Sequence, residues 1–309
     1  MKVLICDPIH KDGIRILREA GLEVDYMPKI EREELKKVIA EYDGIIVRSR
    51  TKVDAEVLSR AARLKVIGRA GVGVDNIDVE EAERRGIKVL RTPEGPSVSV
   101  AELTVALMLC LARMIPYADR AMKEGRWVKG ELMGVELRGK KLGIVGFGRI
   151  GYEVAKRAKA FEMEVLVYDV VLDKLMDRVR EVGARGLSFE ELLRESDFVS
   201  IHVPLTPQTR RMIGEEELKA MKPTAYLINT SRGGVVDEGA LLRALKEGWI
   251  AGAALDVYEV EPPTNMELIR LPNVVCTPHI GAQTAEAQRR NSVLIANKLL
   301  NALKHLSWE

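Results

Sequence analysis

The sequence predicts an α/β protein made of two doubly wound domains, each with a parallel β-sheet that helices cover on both faces. Short apolar segments alternate with amphipathic segments along most of the chain, and this alternation is typical of parallel sheets. With 309 residues, the chain is longer than one hydrophobic core usually supports. A long helical pattern separates two runs of alternation, so we expect it to cross from one domain into the other.

The first run predicts a five-stranded sheet. Its predicted strands are Lys2–Cys6, Glu23–Tyr26, Gly44–Val47, Lys65–Gly68 and Lys88–Leu90. The predicted helices between them are His10–Ala20, Glu31–Ala40, Ala55–Ala62 and Val79–Arg85. The short connections favour parallel pairing with crossover helices.

The crossing helix is predicted over Ser97–Lys123, with Ser97 or Ser99 as its cap and a bend at Pro116. Six further strands follow near Lys141–Val145, Glu164–Tyr168, Phe198–His202, Ala225–Asn229, Ala251–Asp256 and Val274–Thr277. The last helix, about Thr284–Leu303, should return and pack on the first domain. The predicted domains are therefore 1–95 with 283–309, and 96–282.

The composition disfavours several classes of partner. Hydrophobic residues make up 47% of the chain, charged residues 30%, and the net charge is +2, which favours neither nucleic acid nor acidic membranes. We see neither a membrane-spanning run nor a signal peptide and therefore expect a cytoplasmic protein. The three cysteines are widely spaced in apolar contexts, so we expect them to be reduced, with no metal site.

A glycine motif indicates a nucleotide-binding turn. The apolar strand Leu142–Val145 runs directly into Gly146, Gly148 and Gly151, and a helical pattern follows. The first glycine permits a tight turn, the second lets the backbone approach a pyrophosphate, and the third lets the helix pack closely on the strand. The N–H groups that begin the helix would face the anion.

Asp169 ends the next predicted strand, 18 residues after Gly151. A carboxylate at this place accepts hydrogen bonds from a ribose and repels a 2′-phosphate, so the sequence predicts NAD rather than NADP. The alternative is that Asp169 caps a helix or a turn.

Three polar residues follow three other strands of the second run, namely Arg232, Glu261 and His279. Carboxyl ends of parallel strands gather at one edge, where ligands bind. An arginine can clamp a carboxylate, and an imidazole can move a proton near neutral pH while a carboxylate orients it. Each residue also has a structural alternative: a turn cap for Arg232, a solvated loop charge for Glu261 and a structural histidine for His279.

These residues lie in blocks that resemble the D-isomer-specific 2-hydroxyacid dehydrogenases over nearly the whole chain. The most specific blocks are Gly68–Asn76, Gly146–Gly151, Asn229–Asp237, Ala253–Pro263 and Thr277–Gly281. The resemblance implies a Rossmann NAD-binding domain inserted into a flavodoxin-like substrate domain. It also implies Arg232 as the carboxylate clamp, His279 as the acid/base and Glu261 as its partner.

The resemblance implies further contacts as well. The implied cofactor contacts are Val72, Gly146, Gly148, Arg149, Ile150, Gly151, Asp169, Val203, Pro204, Thr206, Thr230, Ser231, Asp256 and Gly281. The expected substrate contacts are Arg48, Ser49, Arg50, Gly71, Val72, Gly73, Arg232 and Gln288. Backbone N–H groups of 71–73 suit a carboxylate, and residues 48–50 suit a distal phosphate. The alternative for residues 48–50 is an ordinary charged loop.

Within the family, the resemblance is greatest to the branch that oxidises D-3-phosphoglycerate in serine biosynthesis, chiefly through the blocks 69–76 and 47–51. Two alternatives stay open: a glyoxylate, hydroxypyruvate or D-lactate reductase, and a non-catalytic NAD sensor. Some members carry C-terminal serine-binding domains; this chain stops at Glu309, so we expect that feedback to be absent.

The resemblance further implies a homodimer formed through the NAD-binding domain. The segment Gly125–Trp127 would reach toward the partner, and the alternative is that Trp127 packs inside one subunit.

Overall fold

The computed structural model of the chain describes residues 1–305, so the last four residues of the predicted first domain lie outside it. The chain divides into two compact units. The first unit consists of Met1–Pro96 with Ala282–Glu309, and the second consists of Ser97–Gly281.

The first unit contains a five-stranded parallel sheet. Its strands are β1 (Lys2–Ile5), β2 (Glu23–Tyr26), β3 (Gly44–Val47), β4 (Val66–Arg69) and β5 (Lys88–Arg91), in the order β2-β1-β3-β4-β5. Its helices are α1 (Lys11–Glu19), α2 (Arg32–Val38), α3 (Ala55–Ser59), α4 (Val79–Arg84) and the last helix of the chain, α13 (Ala285–His305). This strand order is the flavodoxin-like order.

The second unit contains a seven-stranded parallel sheet. Its strands are β6 (Lys141–Val145), β7 (Glu164–Tyr168), β8 (Arg185–Gly186), β9 (Phe198–Ile201), β10 (Tyr226–Asn229), β11 (Gly252–Leu255) and β12 (Val274–Cys276), in the order β12-β11-β10-β9-β6-β7-β8. Its helices are α5 (Ser97–Ala112), α6 (Ile115–Lys123), α7 (Arg149–Ala160), α8 (Met176–Glu181), α9 (Phe189–Glu195), α10 (Glu215–Ala220), α11 (Glu238–Glu247) and α12 (Met266–Ile269). The strand order is that of the Rossmann fold, and the predicted fold class is confirmed.

Both sheets are buried on both faces. In the first unit, Leu17 of α1 and Leu299 of α13 pack on one face, while Leu35 and Leu58 pack on the other. In the second unit, Met108 of α5 packs on one face and Leu241 of α11 packs on the other. Because both faces are covered, the strands are apolar along nearly their whole length and do not alternate between apolar and polar residues.

The prediction of one bent helix over Ser97–Lys123 is wrong. The chain forms two helices, α5 and α6, at an angle of 66°. Met114 takes the left-handed conformation with φ 49°, and Pro116 lies in the first turn of α6. Because proline suits a first helical turn, it begins a new helix here instead of bending one.

Within residues 1–305, no single helix is long and apolar enough to span a membrane, although the bent pair α5 and α6 together meet that test by length and composition alone.

Candidate active site

The strands of the second sheet end in register. Their pairing aligns one row of residues: Tyr168, Val145, Ile201, Asn229, Leu255 and Cys276. The residue after each of these begins a loop at the carboxyl edge: Asp169, Gly146, His202, Thr230, Asp256 and Thr277. The strand order reverses between β6 and β9, and open parallel sheets bind ligands at such a point.

The glycine turn leaves β6 with a backbone that requires glycine at two of its three glycine positions. Gly146 has φ +93°, and a Cβ there would lie 2.7 Å from the carbonyl oxygen of His202. A Cβ on Gly151 would lie 2.3 Å from the carbonyl oxygen of Gly146, whereas one on Gly148 would meet no atom of the described part of the chain within 4 Å. The first and third glycines are therefore required by packing. The second leaves open space in front of α7, which begins at Arg149.

Asp169 is oriented toward the glycine turn. Its Oδ2 accepts a hydrogen bond from the N–H of Phe147 at 2.8 Å, and its Oδ1 accepts one from the N–H of Val171 at 3.0 Å. These two donors hold the carboxylate beside the turn, and each oxygen keeps a lone pair for a ribose hydroxyl. The geometry fits the predicted preference for a cofactor without a 2′-phosphate.

The loop after β9 carries the predicted contacts Val203, Pro204 and Thr206. Thr209 closes this loop, because its Oγ1 accepts from the N–H of Thr206 at 2.8 Å and donates to the carbonyl of Pro204 at 2.6 Å. His202 lies before the loop with its Nε2 2.8 Å from Oγ of Ser200. Burial lowers the pKa of His202 to about 3, so this imidazole is neutral in the folded chain.

The loop that follows β10, residues 230–234, carries Arg232 and is here called the arginine loop. The side-chain oxygen of Asn229 accepts from both the N–H (3.0 Å) and the hydroxyl (2.8 Å) of Ser231, and its amide nitrogen donates to the carbonyl of Arg232 at 2.9 Å. Thr230 lies 2.9 Å from Oγ1 of Thr104 on α5. Thr104 is not among the predicted site residues, because a buried helix gives no local sign in the sequence of which loop it contacts.

His279 and Glu261 form a pair. Nδ1 of His279 lies 2.8 Å from Oε2 of Glu261, and both side chains are about two-fifths exposed, at 43% and 39%. Burial alone would raise the pKa of Glu261, but the hydrogen bond and charge of His279 outweigh it and hold that pKa below its usual range. Because Nδ1 faces the carboxylate, Nε2 is the ring nitrogen that remains for a ligand.

The loop that bears His279 is held by Asp256. The carboxylate accepts from the hydroxyl of Thr277 at 2.7 Å and from the N–H groups of Ile280 at 2.8 Å and Gly281 at 2.9 Å. His279 itself takes the left-handed conformation with φ 53°. A non-glycine residue in this region is strained by about 1–3 kcal/mol, and such strain is concentrated at functional sites. The predicted cofactor contacts Asp256 and Gly281 are thus hydrogen-bonded to each other.

The predicted phosphate-binding residues follow β3, where the strand order of the first sheet reverses. Asp7 is buried and organises this loop through bonds from Arg50 Nε at 2.9 Å and Thr51 Oγ1 at 2.8 Å. The rest of the Arg50 guanidinium donates to backbone carbonyls of the first unit: Cys6, Pro28 and Ile30. Arg50 is therefore committed to the fold of this unit.

Arg48 has a different environment. Its guanidinium donates to two neutral acceptors, the carbonyl of Pro8 at 3.2 Å and Oε1 of Gln283 at 3.1 Å. Burial lowers the pKa of Arg48, while Asp7 opposes this effect. Asp7 supplies one negative charge to two arginines, so the loop keeps a net positive charge. Ser49 between them is exposed.

Two other groups of predicted substrate contacts lie in the first unit. The N–H of Gly71 bonds the carbonyl of Arg69 at 2.9 Å, whereas in residues 1–305 those of Val72 and Gly73 have no acceptor. Two of the three predicted amide donors thus stay available. Gln288 donates to the carbonyl of Ala282 at 2.7 Å and to Oε1 of Gln283 at 3.0 Å.

Comparisons with known proteins agree with this architecture. Residues 105–281 match the family described as "D-isomer specific 2-hydroxyacid dehydrogenase, NAD binding domain". The chain is 50% identical to the D-3-phosphoglycerate dehydrogenase of Archaeoglobus fulgidus, over 99% of this chain and 58% of that protein. It thus spans little more than half the length of this relative.

Two shorter relatives are covered almost completely. The glyoxylate reductase of Thermococcus litoralis is 48% identical, over 97% of this chain and 92% of that protein. The crystal structure of D-lactate dehydrogenase from Aquifex aeolicus, complexed with NAD and lactic acid, superposes with a TM-score of 0.82 at 35% identity, covering 99% of this chain and 95% of that one.

Proposed function

This chain belongs to the D-isomer specific 2-hydroxyacid dehydrogenases, and from that membership we propose that it oxidises D-3-phosphoglycerate to 3-phosphohydroxypyruvate with NAD as its cofactor. The observation that carries the proposal is the His279–Glu261 pair, whose 2.8 Å contact lies on loops beyond the carboxyl edge of the second sheet. A proton-moving imidazole at this edge suits an alcohol oxidation.

His279 is the proposed acid/base. Its Nε2 takes the proton of the C2 hydroxyl, the C2–O bond becomes a carbonyl, and the ring becomes an imidazolium that Glu261 stabilises across 2.8 Å. Bound NAD supplies the hydride acceptor for the hydrogen on C2. In the reverse direction, the protonated ring returns the proton to the carbonyl oxygen.

Arg232 is the proposed clamp for the substrate carboxylate, because a guanidinium matches a carboxylate with two parallel hydrogen bonds. Gly146, Gly148, Gly151 and Asp169 would hold the pyrophosphate and the adenosine ribose of NAD, and the open space at Gly148 supports this assignment.

The phosphate preference is proposed to rest on Arg48. Among the described residues, the guanidinium of this arginine has only neutral acceptors, at 3.1 and 3.2 Å, in a loop with excess positive charge. The donors of Arg50 are already engaged, so we assign it to the architecture of the loop. The relatives named phosphoglycerate dehydrogenase support a phosphorylated substrate.

A second function is favoured by a specific observation. The glyoxylate reductase of Thermococcus litoralis is nearly as similar, at 48% identity, and almost its full length is covered. Reduction of glyoxylate or hydroxypyruvate would use the same imidazole and the same carboxylate clamp but would have no use for the charge of Arg48.

One experiment separates the two functions. NADH oxidation is followed with 3-phosphohydroxypyruvate, hydroxypyruvate and glyoxylate, and kcat/KM is compared for the chain and its Arg48→Met variant. We expect the phosphorylated substrate to be preferred and Arg48→Met to lose that preference. A higher kcat/KM for glyoxylate, unchanged in the variant, would establish the second function instead.

We further infer a homodimer. In the segment 115–135 of the second unit, large apolar side chains are exposed: Trp127 to 78%, Met133 to 89% and Met122 to 55%. Exposed apolar patches of this kind mark interaction surfaces. A Trp127→Glu variant that sediments as a monomer would support this surface, and an unchanged dimer would place the interface elsewhere.

A further inference from the structure

We propose that Glu238 is a positioning residue for the His279–Glu261 pair and that it acts through the backbone of the segment Tyr258–Glu261, here called the glutamate loop. This inference rests on the proposed function of His279. Glu238 is the first residue of α11 and is not among the predicted site residues.

Glu238 and Glu259 exchange hydrogen bonds. The N–H of Glu259 donates to Oε1 of Glu238 at 2.7 Å, and the N–H of Glu238 reaches Oε1 of Glu259 at 3.5 Å. The first bond is short and involves a carboxylate, so it is the stronger of the two. It anchors the middle of the glutamate loop to the beginning of a helix.

Tyr258, which precedes this anchor, bonds both the Glu261 carboxylate and the backbone near His279. Its N–H donates to Oε1 of Glu261 at 3.3 Å, and its hydroxyl donates to the carbonyl of Thr277 at 2.9 Å. The same carbonyl accepts the N–H of His279 at 3.1 Å. A displacement of the glutamate loop therefore moves the Glu261 carboxylate relative to the imidazole.

The arginine loop contacts the same anchor. A Cβ on Gly233 would lie 1.8 Å from the carbonyl carbon of Tyr258 and 2.5 Å from the nitrogen of Glu259. Only glycine lets the two backbones approach this closely. The residue after Arg232 is thus packed against the peptide unit whose N–H bonds Glu238.

The charges around Glu238 are mainly negative. Asp237 on its own element and Glu259 on the loop both repel its charge, whereas the Cys276 thiol adds none, because burial raises its pKa. Arg211 balances them through Glu259 at 3.3 Å and Asp237 at 3.7 Å. Burial raises the pKa of Glu238, and the charge of Glu259 raises it further. Glutamine at this position would keep the acceptor oxygen without the charge.

Three variants test the proposal: Glu238→Ala removes the acceptor, Glu238→Gln keeps it, and Glu247→Ala alters an exposed residue at the other end of the same helix. For Glu238→Ala we expect kcat of ketoacid reduction to fall about tenfold, since small misplacements of reacting groups are costly. The KM for NADH should stay within about twofold. Glu238→Gln should recover most of the loss, and Glu247→Ala should match the parent chain.

The pH profile supplies a readout that a merely structural role would not move. Reduction needs the imidazolium, which Glu261 stabilises, so a loosened Glu261 should move the basic limb of the reduction profile to lower pH. Glu261→Gln should shift this limb in the same direction.

The proposal is overturned by a Glu238→Ala profile identical to that of Glu247→Ala, or by an equal loss in Glu238→Ala and Glu238→Gln. The proposal is also overturned if kcat falls while the basic limb does not move, because Glu238 would then have only a structural role. His279→Asn is measured in parallel. Unchanged turnover in that variant contradicts the proposed function, whereas a collapse there beside a normal Glu238→Ala contradicts this inference alone.

Discussion

Oδ1 of Asp256 lies 2.8 Å from the backbone nitrogen of Ile280, the residue that follows His279. The same oxygen lies 2.7 Å from the hydroxyl of Thr277, two residues before His279. One carboxylate oxygen thus bonds the chain on both sides of the imidazole and holds the turn in which His279 takes its left-handed backbone.

Replacing Asp256 by asparagine should loosen this turn. An amide has one oxygen, so one of the three donors loses its acceptor. We expect kcat to fall about 10–100-fold, because a misplaced acid/base is inefficient. Burial raises the pKa of Asp256, so removing its charge should offset part of the cost of the lost hydrogen bond, and the thermal midpoint measures the balance. A normal kcat would show that the turn does not need the carboxylate.

His279→Asn should leave cofactor binding intact while turnover collapses. General acid–base catalysis contributes about 10²–10⁴ in rate, so we expect a loss of that order in kcat. NADH affinity, measured by fluorescence titration, should change by less than about threefold. His305→Asn, at the exposed end of α13, is the matched control and should behave like the parent chain. Near-normal turnover of the His279 variant would exclude the acid/base role.

The pH dependence should have opposite signs in the two directions. His279 holds the pKa of Glu261 below its usual range, so this carboxylate stays ionised as the pH falls and is protonated only below the normal range of a glutamate. Reduction needs the imidazolium and should fall as the pH rises; oxidation needs the neutral ring and should rise. In Glu261→Gln, the basic limb of reduction should move to lower pH, and stopped-flow rates over the pH range measure it. If the basic limb does not move, Glu261 has no part in the proton transfer.

Gly148→Ala should weaken cofactor binding without changing the stability of the fold. A Cβ there meets no atom of residues 1–305 within 4 Å, so the free energy of unfolding should change by less than about 0.5 kcal/mol. If the backbone at this position approaches a pyrophosphate, the added methyl group should raise the Kd for NADH about tenfold or more. Gly130→Ala, equally unobstructed and outside the turn, is the control. Unchanged affinity in Gly148→Ala would move the pyrophosphate away from this turn.

Gln283→Ala should weaken discrimination for a phosphorylated substrate. Oε1 of Gln283 receives bonds from Arg48 at 3.1 Å and from Gln288 at 3.0 Å, so its loss frees the guanidinium to rotate. We expect the kcat/KM ratio of phosphohydroxypyruvate to hydroxypyruvate to fall about threefold to tenfold, the worth of roughly one hydrogen bond. In the double variant with Arg48→Met, the Gln283 effect should disappear. Additive losses would show that Gln283 acts independently of Arg48.

Much of the architecture could be read from local patterns. The apolar strands before Gly146, Thr230 and Thr277 are short and bounded, so their ends could be predicted within a residue or two, and parallel pairing brings these ends to one edge. The helical pattern over 97–123 misled the prediction, because apolar periodicity continues across Met114 while the backbone reverses its handedness there. Periodicity reports which residues are buried and does not report a change of helix axis.

The sequence by itself determined the fold class, the glycine turn and the loops that carry Arg232, Glu261 and His279, since hydrophobic periodicity and strand ends are local properties. Only the tertiary structure decided which side chains support them. Glu238 reaches Glu259 across 21 positions, Asp7 reaches Thr51 across 44, and Arg48 reaches Gln283 across 235. Such contacts depend on how strands are ordered and helices packed, and a hydrogen bond requires its two atoms to lie within about 3 Å. No local pattern specifies that proximity, because the intervening chain sets it only after it has folded.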